Sequence, residues 1–334
     1  MPSSTNFPIL FIHYGASYYL KHVLKTAFYS NPNKKIILLG DEHNRRLTPR
    51  NIYWIPFEKY SHDNLLLEEF EKYFQPIEGT HHRYNKLRGT TFWLKFVFKR
   101  WFFIYSAIQD LGINKFWTFD SDTLLLAPLH SREDRFLNLD CTEQCLGKCL
   151  NGWVANPKLI QNYLELIISL FKDNDYLNIQ RLRLQKESNL SFNEMDAWCE
   201  FKKVNKPKTR RLSQPQSGET FDDALAFVEE FEKSHTLIRN KTEVKKLSTS
   251  NKGGLFVHHK PSGAPLRLIS ANLSWMPEYL FVKLSKFALN PSRDFITNSI
   301  PYSNLKEIPL NEPCMLSLKN QLLKIFAKLR SSFF

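Results

Sequence analysis

From Thr91 to Gln109 the chain is apolar almost without a break: Phe92, Trp93, Leu94, Phe96, Val97, Phe98, Trp101, Phe102, Phe103, Ile104 and Tyr105, with Lys95, Lys99 and Arg100 as its few polar exits. A helix that is apolar all round must be covered all round. Gly112 ends it, and Lys115–Phe119 (KFWTF) follows as a strand without a polar face. Such a strand belongs inside a parallel sheet that carries helices on both faces. This helix–strand pair therefore commits the chain to a layered α/β architecture.

The preceding residues repeat the alternation. Phe7–His13 is a short buried strand, and Ser17 is expected to cap a helix with the stripe Leu20, Val23, Leu24, Ala27 and Phe28. Asn31-Pro32-Asn33 stops that helix. Lys35–Leu39 (KIILL) is a second strand closed by Gly40-Asp41, Ile52–Ile55 a third, and Leu65–Phe74 a short helix. Strands alternating with helices predict a mixed, mostly parallel sheet flanked by helices. The second half is less regular. Asn156-Pro157 opens a helix with the stripe Ile160, Tyr163, Leu164, Ile167, Leu170 and Phe171, and Phe192–Phe201 is another. Lys202–Gly218 reads as a surface loop, Asp222–Phe231 as an acidic helix, and Leu255–Val257 as a strand leading into His258-His259-Lys260-Pro261. One domain is expected over residues 1–270, followed by a C-terminal helical extension, 271–334.

Charge narrows the partners. Lys plus Arg number 46 against 33 Asp plus Glu, a net +13, which favours polyanions such as nucleotide phosphates, nucleic acid or anionic lipid. The aromatics lie in buried patterns rather than among basic residues, so nucleic acid is not expected. No apolar run approaches the ~18 residues of a membrane span. The N-terminal residues lack the charged and apolar regions of a signal peptide, and five cysteines are an odd count for a disulfide framework. A cytoplasmic setting is the expectation. Peripheral contact with the inner membrane face is added by Leu318–Phe334, where Leu318, Leu322, Ile325, Phe326, Leu329 and Phe333 form one helical stripe and Lys319, Lys324, Lys328 and Arg330 lie elsewhere.

The strongest chemical signal is Asp120-Ser121-Asp122, directly after the buried strand. Ligands of open parallel sheets gather at the carboxyl ends of strands. Two carboxylates there can hold a divalent cation that neutralises a diphosphate. Other acids are candidates too. Glu194 and Asp196 stand at a helix start, where acids are also favoured by the helix dipole, with Asp196 preferred for a catalytic role. Asp222-Asp223 is a further acidic pair. Cys141, Cys145 and Cys149 recur every four residues without an evident fourth metal ligand and are expected in the core or a pocket wall. Arg83, Lys86 and Arg88 precede the apolar helix, where they could meet a diphosphate.

Asp120-Ser-Asp122 at the end of the fourth predicted strand resembles the Asp-x-Asp motif of GT-A glycosyltransferases. The resemblance extends through RWFFIYSAIQDLGINKFWTFDSDTLLL and is similar to bacterial family-8-type nucleotide-sugar transferases. Ile36–Asp41 (IILLGD) resembles their second strand and nucleotide-contacting turn. Leu150-Asn151-Gly152-Trp153 resembles the stretch lining the donor-sugar pocket. Val257-His258-His259-Lys260-Pro261-Ser-Gly263 resembles the C-terminal histidine motif, although here Lys-Pro follows the histidines at once and the glycine comes later.

The resemblance implies transfer of a sugar from a nucleotide diphosphate sugar, UDP-hexose, to a hydroxyl acceptor such as a polysaccharide or lipid-linked saccharide, with retention of configuration. It implies Mn²⁺ or Mg²⁺ on Asp120, Asp122 and one histidine, with His258 preferred over His259. Asp41, Asn151, Gly152 and Lys260 would contact the donor. The alternative is a haloacid-dehalogenase-like phosphatase with Asp120 as nucleophile. That family's motif closes the first strand of its domain, whereas three predicted strands precede Asp120 here.

Overall fold

The computed structural model describes residues 7–62, 64–81, 90–236, 238, 242–294 and 301–311. In chain order the elements are β1 (Ile9–His13), α1 (Leu20–Ser30), β2 (Ile36–Gly40), α2 (Glu42–Arg45), β3 (Tyr53–Pro56), α3 (Leu65–Tyr73), α4 (Thr90–Asp110), β4 (Phe116–Asp120), β5 (Thr123–Leu125), β6 (Cys141–Gln144) and β7 (Cys149–Val154). There follow α5 (Pro157–Lys172), α6 (Asn174–Lys186), α7 (Glu194–Asn205), β8 (Thr209–Arg211), β9 (Glu219–Phe221), β10 (Leu247–Ser250), β11 (Gly253–His259), β12 (Ala264–Asn272), α8 (Glu278–Leu284) and β13 (Leu305–Glu307).

The central sheet has seven strands in the order β3-β2-β1-β4-β7-β6-β8. Strands β3, β2, β1 and β4 are mutually parallel, and β7 turns antiparallel against β4. Alternation of side chains explains why these strands lack polar faces. Ile9 and Phe11, Ile36 and Leu38, and Trp117 and Phe119 enter one core, while Leu10 and Ile12, Ile37 and Leu39, and Phe116 enter the other. The second core is shared with α3, α4, α5 and α7, where Phe70, Phe98, Phe102, Phe171 and Phe192 pack ring on ring. The first core is closed by α1, α8 and a second sheet, β13-β10-β11-β12-β5 with β9 beside β12.

Several local expectations change. Ser17 contributes only its backbone carbonyl to the start of α1, and Tyr19 stands at the cap without a side-chain bond. Within 202–218 the chain completes α7 and then forms β8, which adds to the central sheet beside β6. Asp222–Phe231 is not a helix. Asp222 turns inward to pair with Lys245, and Asp223 accepts from Leu146 N (3.0 Å) and Arg211 Nη2 (3.3 Å). Those partners draw both carboxylates away from the solvated face that an acidic helix would need. The cysteines stand on a β-hairpin, with Cys141 on β6, Cys145 in the turn and Cys149 on β7. Beyond residue 270, β12 runs on to Asn272, and Leu280, Phe281 and Leu284 of α8 join the first core. Arg83, Lys86, Arg88 and the basic stripe of 318–334 lie outside the described residues.

Candidate functional site

Strand β4 delivers Asp120 to the carboxyl edge of the parallel sheet, level with Ile12 of β1. His13, the next residue of β1, has Nδ1 2.7 Å from Ser121 Oγ, which fixes the middle residue of the turn. The two aspartates are then held by different parts of the chain.

Arg100, one of the few polar residues of α4, extends from its apolar surroundings to two carboxylates. Its Nη1 donates to Asp120 Oδ1 at 2.6 Å and its Nη2 to Glu194 Oε1 at 2.9 Å. Burial works against the guanidinium charge, but the Asp120 and Glu194 carboxylates outweigh it and push the Arg100 pKa above its ordinary value. Glu194 opens α7 with its side chain nearly covered, and its carbonyl accepts from the Tyr163 hydroxyl at 2.6 Å. Burial pushes Glu194 up to about 7; the Arg100 charge opposes this and the Asp120 charge adds to it. Asp196, the residue preferred from the sequence, has other partners. Asp196 is half of a capping box with Asn193 and pairs with Arg183 at 2.9 Å, so its oxygens serve helix and surface.

Asp122 faces the loop after β12. Leu273 N donates to the Asp122 carbonyl at 3.0 Å, and Ser274 Oγ lies 2.9 Å from Asp122 Oδ2 and 2.7 Å from Asn272 Oδ1. The second carboxylate oxygen, Asp122 Oδ1, is buried with no hydrogen-bond partner. Burial, and then the Asp120 charge, push the Asp122 pKa up to about 7, against the Ser274 hydrogen bond. One Asp122 oxygen is thus bonded to Ser274 while the other is buried and unsatisfied, and a carboxylate oxygen is a hard donor of the kind Mg²⁺ or Mn²⁺ takes. Among the described residues no group of three His, Cys, Asp or Glu side chains could hold a metal.

Strand β7 walls the site. Gly152 pairs with Thr118, so Asn151 lies beside Phe119, one residue before Asp120. Asn151 Oδ1 accepts from Gly152 N, and its Nδ2 is buried without a partner. Gly152 has a packing reason of its own. Its φ is +91°, and a Cβ would meet Leu212 Cδ1 at 2.3 Å and Thr142 Oγ1 at 2.4 Å. The hairpin tip is left-handed at Cys145 (φ 52°), Leu146 (φ 59°) and Gly147 (φ 80°), a conformation costly for the first two. Asp223 on the Leu146 amide and Lys202 on the Gly147 carbonyl hold that tip.

The remaining sequence candidates separate from this cluster. Asp41 stands at the carboxyl end of β2, but its oxygens accept from Gly15 N (2.6 Å) and Asn44 N (3.1 Å) and so shape the loops. His258 pairs with Pro265, whereas Asn272, at the other end of β12, pairs with Thr123. Seven residues at about 3.3 Å each put His258 roughly 20 Å along the sheet from Asp122. His258 instead lies 2.9 Å from Glu232 Oε1, His259 Nδ1 is 2.9 Å from Ser262 Oγ, and Lys260 is exposed in the same turn. These residues do not complete a metal shell with the aspartates. Arg100, Asn272 and Ser274 take part in the cluster, a role assigned from the sequence to none of them. The available signals were a lone arginine in an apolar helix and short polar residues after an apolar strand.

No family model and no curated protein sequence matches the chain. Similar solved structures include PaToxG glycosyltransferase, at 13% identity and TM-score 0.36 over 60% of this chain and 69% of that one. They also include the glycosyltransferase GlyE of Streptococcus pneumoniae TIGR4, at 17% identity and TM-score 0.32 over 64% of this chain and 47% of that one. The bifunctional glycosyltransferase WbbM is similar at 14% identity and TM-score 0.28 over 62% of this chain and 38% of that one. The chain spans less than half the length of the last two.

Proposed function

We propose that the chain is a glycosyltransferase that moves a sugar from a nucleotide diphosphate sugar, UDP-hexose, to a hydroxyl acceptor, with Mn²⁺ or Mg²⁺ as cofactor. The observation that carries this is the unequal treatment of two neighbouring carboxylates at the end of β4. Asp120 is tied to Arg100, while Asp122 has one oxygen bonded to Ser274, itself bonded to Asn272, and keeps the other buried and unsatisfied. Asp122, Asn272 and Ser274 would hold the cation, which when bound supplies positive charge to a diphosphate leaving group.

The protein's own residues do the rest. Arg100 fixes the Asp120 and Glu194 carboxylates in one array, so that both present acceptor oxygens for sugar hydroxyls at the sheet edge. On β7, the strand paired with β4, the buried and unpartnered Asn151 Nδ2 is a further donor for the same ligand. Glu194, with a pKa raised to about 7, exchanges a proton near neutrality, as a group assisting acceptor deprotonation must. The topology does not favour the phosphatase alternative, because Asp120 closes the fourth strand rather than the first.

Calorimetric titration of the full chain with UDP, with and without Mn²⁺, tests this. UDP binding should require Mn²⁺, and Asp122→Ala should weaken it about tenfold or more while thermal unfolding stays cooperative. UDP affinity independent of the metal and of Asp122 would contradict the assignment.

A further inference from the structure

Two of the cysteines on hairpin β6–β7 meet at its tip. Gln144 pairs with Cys149, which leaves 145–148 as the turn. Gly147 N donates to the Gln144 carbonyl (3.0 Å) and Lys148 N to the Cys145 carbonyl (3.2 Å). Side chains alternate along a strand, so an extended Cys145 would point to the face opposite Cys149. Its left-handed backbone, φ 52°, takes it out of that alternation, and its thiol is hydrogen-bonded to the Cys149 thiol. A non-glycine residue in that conformation costs energy. The strain therefore falls on the residue that brings one thiol to another.

The two thiols are unequal. Cys145 is partly exposed in the turn, whereas Cys149 is buried on β7 and lies 3.6 Å from the Leu150 carbonyl through its Sγ. The hydrogen bond with Cys145, and then burial, push the Cys149 pKa well above its ordinary value, so Cys149 keeps its proton. Cys145 is the thiol that a dissolved oxidant can reach, and Cys149 is placed to complete the reaction. The other described cysteines stand apart from the pair: Cys141 pairs with Val154 at the far end of the hairpin, and Cys199 belongs to α7.

We propose that Cys145 and Cys149 form a reversible redox dithiol, a modification site whose oxidant is a low-molecular-mass disulfide such as glutathione disulfide. Cys145 gives its proton to solvent and its sulfur attacks glutathione disulfide. A mixed disulfide forms, and one glutathione leaves with a proton from solvent. The Cys149 sulfur then attacks the Cys145 sulfur and releases the second glutathione, which takes up the Cys149 proton. Two protein thiols thus lose two electrons and two protons, and one glutathione disulfide becomes two glutathiones. Because both thiols stand on one hairpin, the second step is intramolecular and fast. The proposal does not rest on the glycosyl-transfer reading, although it adjoins the same site: β7 pairs with β4, and the Asp120 charge reaches the Cys149 thiol.

The full chain is equilibrated without oxygen in glutathione buffers of rising disulfide fraction and blocked with N-ethylmaleimide. Intact mass and peptide mapping are then read for wild type, Cys145→Ser, Cys149→Ser and Cys199→Ser. The wild type should lose two alkylatable thiols together, show a Cys145–Cys149 cross-link, and regain both thiols with dithiothreitol. Cys149→Ser should hold glutathione on Cys145 at about tenfold or more the wild-type level, because the resolving thiol is gone. Cys145→Ser should leave Cys149 unmodified, and Cys199→Ser should match the wild type. Absence of the cross-link at every ratio overturns the proposal, and the wild-type map decides this even where a variant fails to fold. A cross-link from Cys145 to Cys199, or between two chains, overturns it too. Glutathione on Cys149 in Cys145→Ser as abundant as on Cys145 in Cys149→Ser overturns the order of the two thiols.

Discussion

Arg100 meets two carboxylates with two arms of one planar group, which a lysine cannot reproduce. Arg100→Lys should keep the fold but release either Asp120 or Glu194, with a fall of about tenfold or more in turnover of nucleotide sugar. Arg100→Ala leaves the buried Glu194 and the half-buried Asp120 without their cation and should also lower stability by about 3–5 kcal/mol; equal melting temperatures for the two variants would refute the bridging role. Glu194 gives a pH signature. Its folded-state pKa is raised to about 7, so the folded protein binds this proton more tightly than the unfolded chain does. Stability from this group is present below the unfolded value near 4.5 and is lost as pH rises toward 7. In Glu194→Gln that loss disappears. The melting temperature of the variant minus that of the wild type should therefore grow across that window and then level off, whereas a difference constant with pH would contradict the shift.

Hairpin β6–β7 shows how an element sets the site. Gly152 allows β7 to pass beneath Leu212 and Thr142, and Thr142 Oγ1 in turn accepts from Trp153 N at 2.7 Å and donates to the Asn151 carbonyl at 2.7 Å. Gly152→Ala should cost about 1–3 kcal/mol by overpacking, with further strain from the positive φ, and thermal unfolding measures it. Elements with strong periodicity were legible in the sequence: α4, β1, β2 and β4 lie within a residue or two of where their apolar patterns put them. The place of Asp120 and Asp122 at the end of β4 was legible for the same reason, since a buried strand must end somewhere and charges mark the end. The histidines were not. Whether His258 reaches Asp122 depends on the register of β11 and β12, and no local pattern encodes which end of a hairpin faces a third strand. The acidic stretch at Asp222 misled in a similar way, because its partner Lys245 comes from a distant segment.

At the scale of the molecule, a parallel half-sheet supplies the edge that carries Asp120, and the second sheet folds back to bring Ser274 against Asp122. Among the described residues no helix is long and apolar enough to cross a membrane. The cluster draws on both sheets, which explains why a short motif marks only part of it: its members come from α4, β4, the turn after β4, α7 and the loop after β12. The most direct test of glycosyl transfer is release of UDP from a set of UDP-hexoses by the purified full chain, followed with and without Mn²⁺ in wild type and Asp122→Ala. The account predicts metal-dependent release from at least one UDP-hexose by the wild type and a loss of about a hundredfold or more in Asp122→Ala. Release that persists undiminished in the folded variant, or its absence with every UDP-hexose while phosphate is freed from phosphomonoesters, would contradict it.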